Sequence, residues 1–248
     1  IKSCFNSAAV TNSGKPGGYV YCTGGIAGSA SSDSVISMCG NTGEITSTIK
    51  GTGGIAGRIT GTIEKCFNTG DVTGIYETGG ILGASSGKTT TIESCYNTGN
   101  VSGTVPTATF NDTNAKGIGG IIGGVSSNSN VAAVLDCYNA GTVYGPGVQA
   151  AGLLGNAGWQ TGDKCKPSMK GCYNAGQVVG AEGKAFGLYG KGTIEPANLQ
   201  DCYVEAGTAA DTKPGTTVVS DNATRQEMLA KLGNGWTIDP SKNNGKPY

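Results

Sequence analysis

The sequence repeats itself, and the repeat limits what the chain can fold into. Cys, an aromatic residue, Asn, Thr or Ala, Gly, any residue and Val recur in that order. The copies are Cys66-Phe67-Asn68-Thr69-Gly70-Asp71-Val72, Cys95-Tyr96-Asn97-Thr98-Gly99-Asn100-Val101, Cys137-Tyr138-Asn139-Ala140-Gly141-Thr142-Val143 and Cys172-Tyr173-Asn174-Ala175-Gly176-Gln177-Val178. Looser copies begin at Cys4, Cys39 and Cys202, and Asn6 and Asn41 keep the Asn in the first two of these. Three residues before each Cys stands an apolar side chain: Ile1, Ile36, Ile63, Ile92, Val134, Met169 and Leu199. Between the copies lies a second motif, seen as Gly24-Gly25-Ile26-Ala27-Gly28, Gly53-Gly54-Ile55-Ala56-Gly57, Gly79-Gly80-Ile81-Leu82-Gly83 and Gly119-Gly120-Ile121-Ile122-Gly123. It weakens to Ala151-Gly152-Leu153-Leu154-Gly155 and Phe186-Gly187-Leu188-Tyr189-Gly190.

Successive Cys of the first motif are 35, 27, 29, 42, 35 and 30 residues apart. A core of about 27 residues with variable additions is the signature of a stacked coil carrying loops. Each unit holds three short apolar runs: one into the Cys, one around the Val and one around Gly-Gly-Ile. Each is too short and too Gly-rich for a helix, and bounding Gly and Asn mark such runs as strands. The expected fold is all-β: a parallel β-solenoid of about seven coils of three short strands. A lone coil cannot bury its apolar side, but stacked coils can. Strands ~4.8 Å apart give a rod roughly 30 Å long. Cys4, Cys39, Cys66, Cys95, Cys137, Cys172 and Cys202 then form one ladder, and Asn6, Asn41, Asn68, Asn97, Asn139 and Asn174 another. Gly and Asn both tolerate positive φ, so their repeated positions read as corners. A structureless Gly-rich array does not account for apolar residues that recur in phase with the glycines.

Composition narrows the function classes. The 248 residues carry no net charge and no His, with 45 Gly, 37% hydrophobic and 6% aromatic residues. Balanced charge without a basic run argues against a nucleic-acid partner. No stretch approaches the length of a membrane-spanning helix. Without His, neither Ser-His-Asp nor Cys-His catalysis is available. With no His and no Cys-x-x-Cys, a zinc site is not expected, nor is any cofactor. The tracts Ser29-Ala30-Ser31-Ser32 and Thr89-Thr90-Thr91 suit a secreted bacterial surface. Starting at Ile1, without Met or a leader, the chain reads as processed or as part of something longer.

The paired Gly-Gly-Ile-x-Gly and Cys-Tyr-Asn-Thr-Gly-x-Val segments resemble the GLUG-type repeats of bacterial cell-surface proteins, over about residues 1–207. Such repeats occur in large secreted or wall-attached proteins, including regions flanking immunoglobulin A proteases and adhesin-like proteins of gut bacteria. The resemblance implies an extracellular location and a solenoid fold, and it brings no catalytic residues. Two copies depart from the pattern: Gly40 replaces the aromatic after Cys39, and Val204 replaces the Asn after Cys202.

Three segments outgrow the repeat: Val10 to Gly24, Val101 to Gly119 and Trp159 to Ser168. Solenoid insertions often carry a binding surface, which singles out Pro106, Phe110 and Trp159. After Gly207 the repeat stops, so residues 1–207 read as the solenoid and 208–248 as a capping segment. There Ser220 or Asp221 can cap a helix over about Asn222 to Leu232, with Met228, Leu229 and Leu232 as its apolar stripe and Gly233 at its end. A short strand is expected from Trp236 to Pro240. The helix and Trp236 would cover the last coil, whereas the first coil at Ile1 has no such cover and reads as continuing into repeats, another domain or a neighbouring subunit.

Stacked Cys in register have parallel Cβ vectors, unsuited to a disulfide, so the ladder reads as reduced, buried thiols. Cys22 and Cys165 lie outside it and are the candidates for a bridge or an exposed thiol. Glu64, Glu93, Asp136 and Asp201 fall just before ladder Cys and could line up as a shallow acidic stripe. A carboxylate pair there could serve acid–base chemistry on a polysaccharide, although a solvated face is the simpler reading. The expected function is a non-catalytic structural or adhesive module, with a self-assembling filament subunit as a related version of the same reading. Its partners would be a host-surface glycan or protein, or a second copy stacked head to tail. The alternative is a carbohydrate-active β-helix enzyme.

Overall fold

The computed structural model describes residues 1–14, 22–103, 117–125, 131–158, 166–210, 212–233 and 236. It is a parallel β-solenoid, and the coils stack in the register that the repeats define. Asn41 pairs with Asn68, Asn68 with Asn97, Asn97 with Asn139 and Asn139 with Asn174. Ile36, Ile63, Ile92, Val134, Met169 and Leu199 follow one another in the same way.

Each coil crosses four sheets, not the three runs expected from sequence. The first sheet collects the aromatic-Asn pairs, from Phe5–Asn6 through Tyr173–Asn174 to Tyr203–Glu205. The second collects the Val segments, Val10–Asn12 to Val178–Gly180. The third collects Thr23–Gly24 to Ala185–Phe186. The fourth holds the long strands Ala27–Ser37, Ala56–Glu64 and Leu82–Glu93, and beyond them pairs of shorter strands. The run that follows Gly-Gly-Ile and the run into Cys are thus one continuous strand in these three coils. The aromatic-Asn and Thr-Gly strands are mostly two residues long. A segment that short shows no alternation, so the period-2 signal of a strand is absent from it.

Inside the rod, apolar side chains of the same kind lie over one another. Ile55, Ile81, Ile121, Leu153 and Leu188 form one buried column beside the Ile36-to-Leu199 column and the thiols. Val101, Val143 and Val178 form a second cluster with Ile118. A coil alone would leave each of these exposed on two sides, so burial is a property of the stack.

The corner before each Cys is the sharpest. Ser3, Met38, Lys65, Ser94, Asp136, Gly171 and Asp201 all take positive φ, between 48° and 63°. Only one of the seven is Gly. The sequence-based expectation put Asn and the motif glycines in that region, and the structure puts neither there. L-residues cost roughly 1–2 kcal/mol in it, and stacking of identical corners holds them.

The chain closes its far end with a strand and a helix. Thr217–Val219 adds in parallel to Tyr203–Glu205, so the aromatic-Asn sheet runs on into the segment read as a cap. Helix α1 spans Asn222–Leu232 as expected, and Asp221, not Ser220, is its N-cap. The Asp221 carboxylate accepts from the Thr224 N–H at 2.8 Å, and the Thr224 hydroxyl takes the backbone N–H of Asp221 in return. Gly233 ends the helix at φ 78°. Met228 is the fully buried member of its apolar side.

Candidate functional site

The Asn column is the most ordered polar feature of the rod. Asn41, Asn68, Asn97, Asn139 and Asn174 are wholly buried. Each Nδ2 donates twice where the next coil has an Asn. The Asn97 amide reaches the Gly99 carbonyl at 2.7 Å and Asn139 Oδ1 at 2.8 Å. Asn6, Asn41, Asn68 and Asn139 do the same. The column has one polarity from end to end and stops at Val204, the pairing partner of Asn174. All six predicted Asn are therefore brought together, as structural side chains with no face toward solvent except at Asn6.

The predicted thiol column also forms. Among the described residues every Cys is free, and the ladder members from Cys39 onward are buried. Each Sγ points to the carbonyl two residues back: Cys66 to Glu64 at 3.2 Å, Cys95 to Glu93 at 3.2 Å and Cys137 to Leu135 at 3.0 Å. The N–H of the preceding coil's Cys reaches the sulfur, as Cys66 N does to Cys95 Sγ at 3.4 Å. Burial and the neighbouring thiol push the Cys95 and Cys172 thiols well up, and the hydrogen bond to Cys95 does so for Cys66. Such thiols behave as small apolar side chains. Cys22 is half-buried and free, with its pKa raised by burial. Cys165 lies outside the described residues.

Beside the Asn column, and pointing outward, runs an aromatic column that the sequence motif contained but whose continuity it did not reveal. Phe67 and Tyr96 stack with centroids 5.4 Å apart and planes within 11°, and Tyr96 and Tyr138 at 5.2 Å and 8°. The aromatic missing after Cys39 is explained here. A Cβ on Gly40 would sit 2.4 Å from Phe67 Cζ, so the Phe67 ring occupies that place and comes within 6.4 Å of Phe5. The far half of the column is covered by the cap. Trp236 tilts against Tyr138 at 5.7 Å and meets Tyr173 edge-on at 6.3 Å. Glu205 ties the cap down, accepting from the Tyr173 hydroxyl and from Arg225 Nη2 at 2.6 Å. Burial, reinforced by that carboxylate, raises the Tyr173 pKa well above the ordinary phenol value.

The remaining predicted sites fare differently. Pro106, Phe110 and Trp159, the candidate binding-loop residues, lie outside the described residues, as does most of the strand expected after Trp236. The four carboxylates do not form one stripe. Glu64 and Glu93 pair in register two residues before their Cys, whereas Asp136 and Asp201 take the left-handed corner one residue later. Gly171 and the strand ending at Lys170 lie between those two. A one-residue offset moves a side chain to another direction, which proximity in sequence does not reveal. Among the described residues no group of three or more His, Cys, Asp or Glu could hold a metal ion, and no helix is long and apolar enough to cross a membrane.

No protein-family model and no curated protein matches the chain. A solved structure does: the crystal structure of a candidate immunoglobulin A1 protease from Bacteroides ovatus. It superposes with a TM-score of 0.64 over 90% of this chain and 73% of that one, at 19% identity. At that identity the likeness is one of fold.

Proposed function

We propose that the chain is a non-catalytic, extracellular structural or adhesive module: a rigid solenoid spacer of the GLUG-type kind found in bacterial surface proteins. The observation that carries this reading is where the repeated polar groups go. Asn68 Nδ2 meets Asn97 Oδ1 at 2.8 Å and the Gly70 carbonyl at 2.7 Å. The repeated thiols are likewise engaged by backbone carbonyls inside the rod. What the repeat preserves is the interior of a rod, as a spacer requires. Contact with a host-surface glycan or protein would fall to the outward surface and the loops. The extracellular location rests on the motif resemblance.

One observation favours a second reading, a carbohydrate-active enzyme. Glu64 and Glu93 stand in register on adjacent strands, ~4.8 Å apart at the backbone. Retaining glycosidases hold their two carboxyl groups about 5–5.5 Å apart. Incubation with a panel of neutral and acidic polysaccharides, followed by chromatography of the products, separates the two. The spacer reading expects no cleavage with any substrate. Turnover that disappears in Glu93→Gln would replace it with the enzyme reading.

A further inference from the structure

We propose that α1 is an exchangeable strap: the aromatic face on which it lies accepts the same helix from a second copy of this chain, and the reciprocal exchange joins two rods. The inference concerns this face alone and does not depend on the spacer reading.

The helix lies along the side of the rod. Thr217–Val219 sits one coil beyond Tyr203, yet Trp236, just past the end of α1, packs on Tyr173 and Tyr138. The chain therefore turns back and crosses the outward residues of three coils. Eleven helical residues span about 16 Å, which matches three coil spacings of ~4.8 Å. Met228 is buried against Tyr138, Tyr173, Tyr203 and Val219, and Leu232 packs beside them.

The rod is built to receive this helix. Thr42, Thr69, Thr98, Ala140 and Ala175 hold one position of the repeat, each donating its N–H to the Asn carbonyl of the preceding coil. The three Thr are exposed, whereas Ala140 and Ala175 belong to the cluster under α1. Where the helix lies, the hydroxyl is gone and the smaller side chain lets it approach. The next two residues in that position are Glu205 and Val219. Glu205 accepts from Arg225 Nη2 at 2.6 Å, and Val219 is fully buried. The choice of Thr or Ala in the sequence motif thus records the footprint of a helix.

Three features make the helix exchangeable. Among the described residues no backbone group of α1 bonds to the rod, so docking rests on side chains that a second copy supplies unchanged. The helix carries its own ends, a capping box of Asp221 with Thr224 and Gly233 at the C-cap, and keeps them when undocked. Its link to the rod is short: exposed Ser220 alone separates the strand ending at Val219 from the N-cap Asp221, whose backbone is extended. A short hinge favours exchange, because the closed form must bend within it and the open form need not.

Complementary charges test the exchange. A Glu205→Arg chain and an Arg225→Glu chain each place like charges at the helix contact, but in an exchanged pair of the two both contacts join opposite charges. Each variant alone should sediment as a monomer. Their equimolar mixture, concentrated after brief exposure to urea, should form a 1:1 dimer in which amide exchange in Asn222–Leu232 is slower by about ten-fold or more than in either variant. A mixture that stays monomeric with α1 unprotected would overturn the proposal. If a variant does not fold, the natural chain is refolded at high concentration. Dimers are then expected, with a yield that falls by about ten-fold or more when Gly-Ser-Gly is inserted after Ser220. Monomers at every concentration, a yield indifferent to the insertion, or a dimer that persists in Met228→Asp would each overturn it.

Discussion

Gly80 and Asn97 share one space: a Cβ on Gly80 would stand 2.3 Å from Asn97 Cγ and 2.3 Å from the Gly120 carbonyl oxygen. The relationship repeats at Gly54 with Asn68, Gly120 with Asn139 and Gly152 with Asn174. The two sequence motifs are therefore one device. The second glycine of Gly-Gly-Ile lets the carboxamide of the following coil lie against the backbone, and the carboxamide bonds along the rod. None of these glycines takes positive φ, so close approach and not backbone freedom explains them. Gly80→Ala should destabilise the chain by about 1–3 kcal/mol, the cost of overpacking against groups that cannot move aside. Urea unfolding followed by circular dichroism would measure it.

Replacing a member of the Asn column should cost most in the middle. Asn97→Leu takes from Asn68 Nδ2 one of its two acceptors, and from Asn139 Oδ1 and the Gly99 carbonyl their Asn97 donor, in a dry interior. Each buried group so stranded costs about 1–3 kcal/mol, so a loss of about 3 kcal/mol or more is expected. Asn6→Leu, at an end open to water, should cost less than a third of that. Equal effects of the two substitutions in urea titrations would count against a cooperative column.

Thiol reactivity should follow the rod axis. Cys4 is exposed, whereas Cys66, Cys95 and Cys172 are buried with raised pKa values. Iodoacetamide at pH 8 should label Cys4 in the native chain and these three only after unfolding. Mass spectrometry of the alkylated peptides reads this directly.

The cap should respond to high pH through Tyr173. Its folded pKa is raised by burial and by Glu205, so the folded state favours the protonated phenol. That contribution is complete below the unfolded value of about 10 and is lost as pH rises beyond it. The stability difference between the natural chain and Tyr173→Phe should therefore be constant from pH 7 to about 9.5 and move against the natural chain above 10. Thermal unfolding across that range would show it.

Glu205→Gln weakens the contact that ties Arg225 of α1 to the body, together with the Tyr173 hydrogen bond to the same carboxylate. Charge-assisted hydrogen bonds in a partly buried setting are worth about 1–3 kcal/mol. The expected outcome is faster amide exchange in Asn222–Leu232 with little change in the middle coils. Uniform loss of protection along the rod would instead place Glu205 in the global folding unit.

By itself the sequence determined the stacked architecture, the membership of the Cys, Asn and Ile columns, and the extent of the terminal helix. Those are statements about recurrence and about near neighbours along the chain, and recurrence is visible without coordinates. Only the tertiary structure decided what each repeated residue leans on. The partner of Gly80 is Asn97, Phe67 fills the place of a side chain at Gly40, and Glu64 meets Glu93 while Asp136 and Asp201 turn elsewhere. The left-handed corner falls on Lys65 and Ser94, not on Asn or Gly. Each of these depends on the direction of a side chain across a gap of a few ångströms between coils, and neighbours in the stack lie 27 to 42 residues apart in sequence. A residue's type records that it repeats, and the packing of one coil on the next settles why.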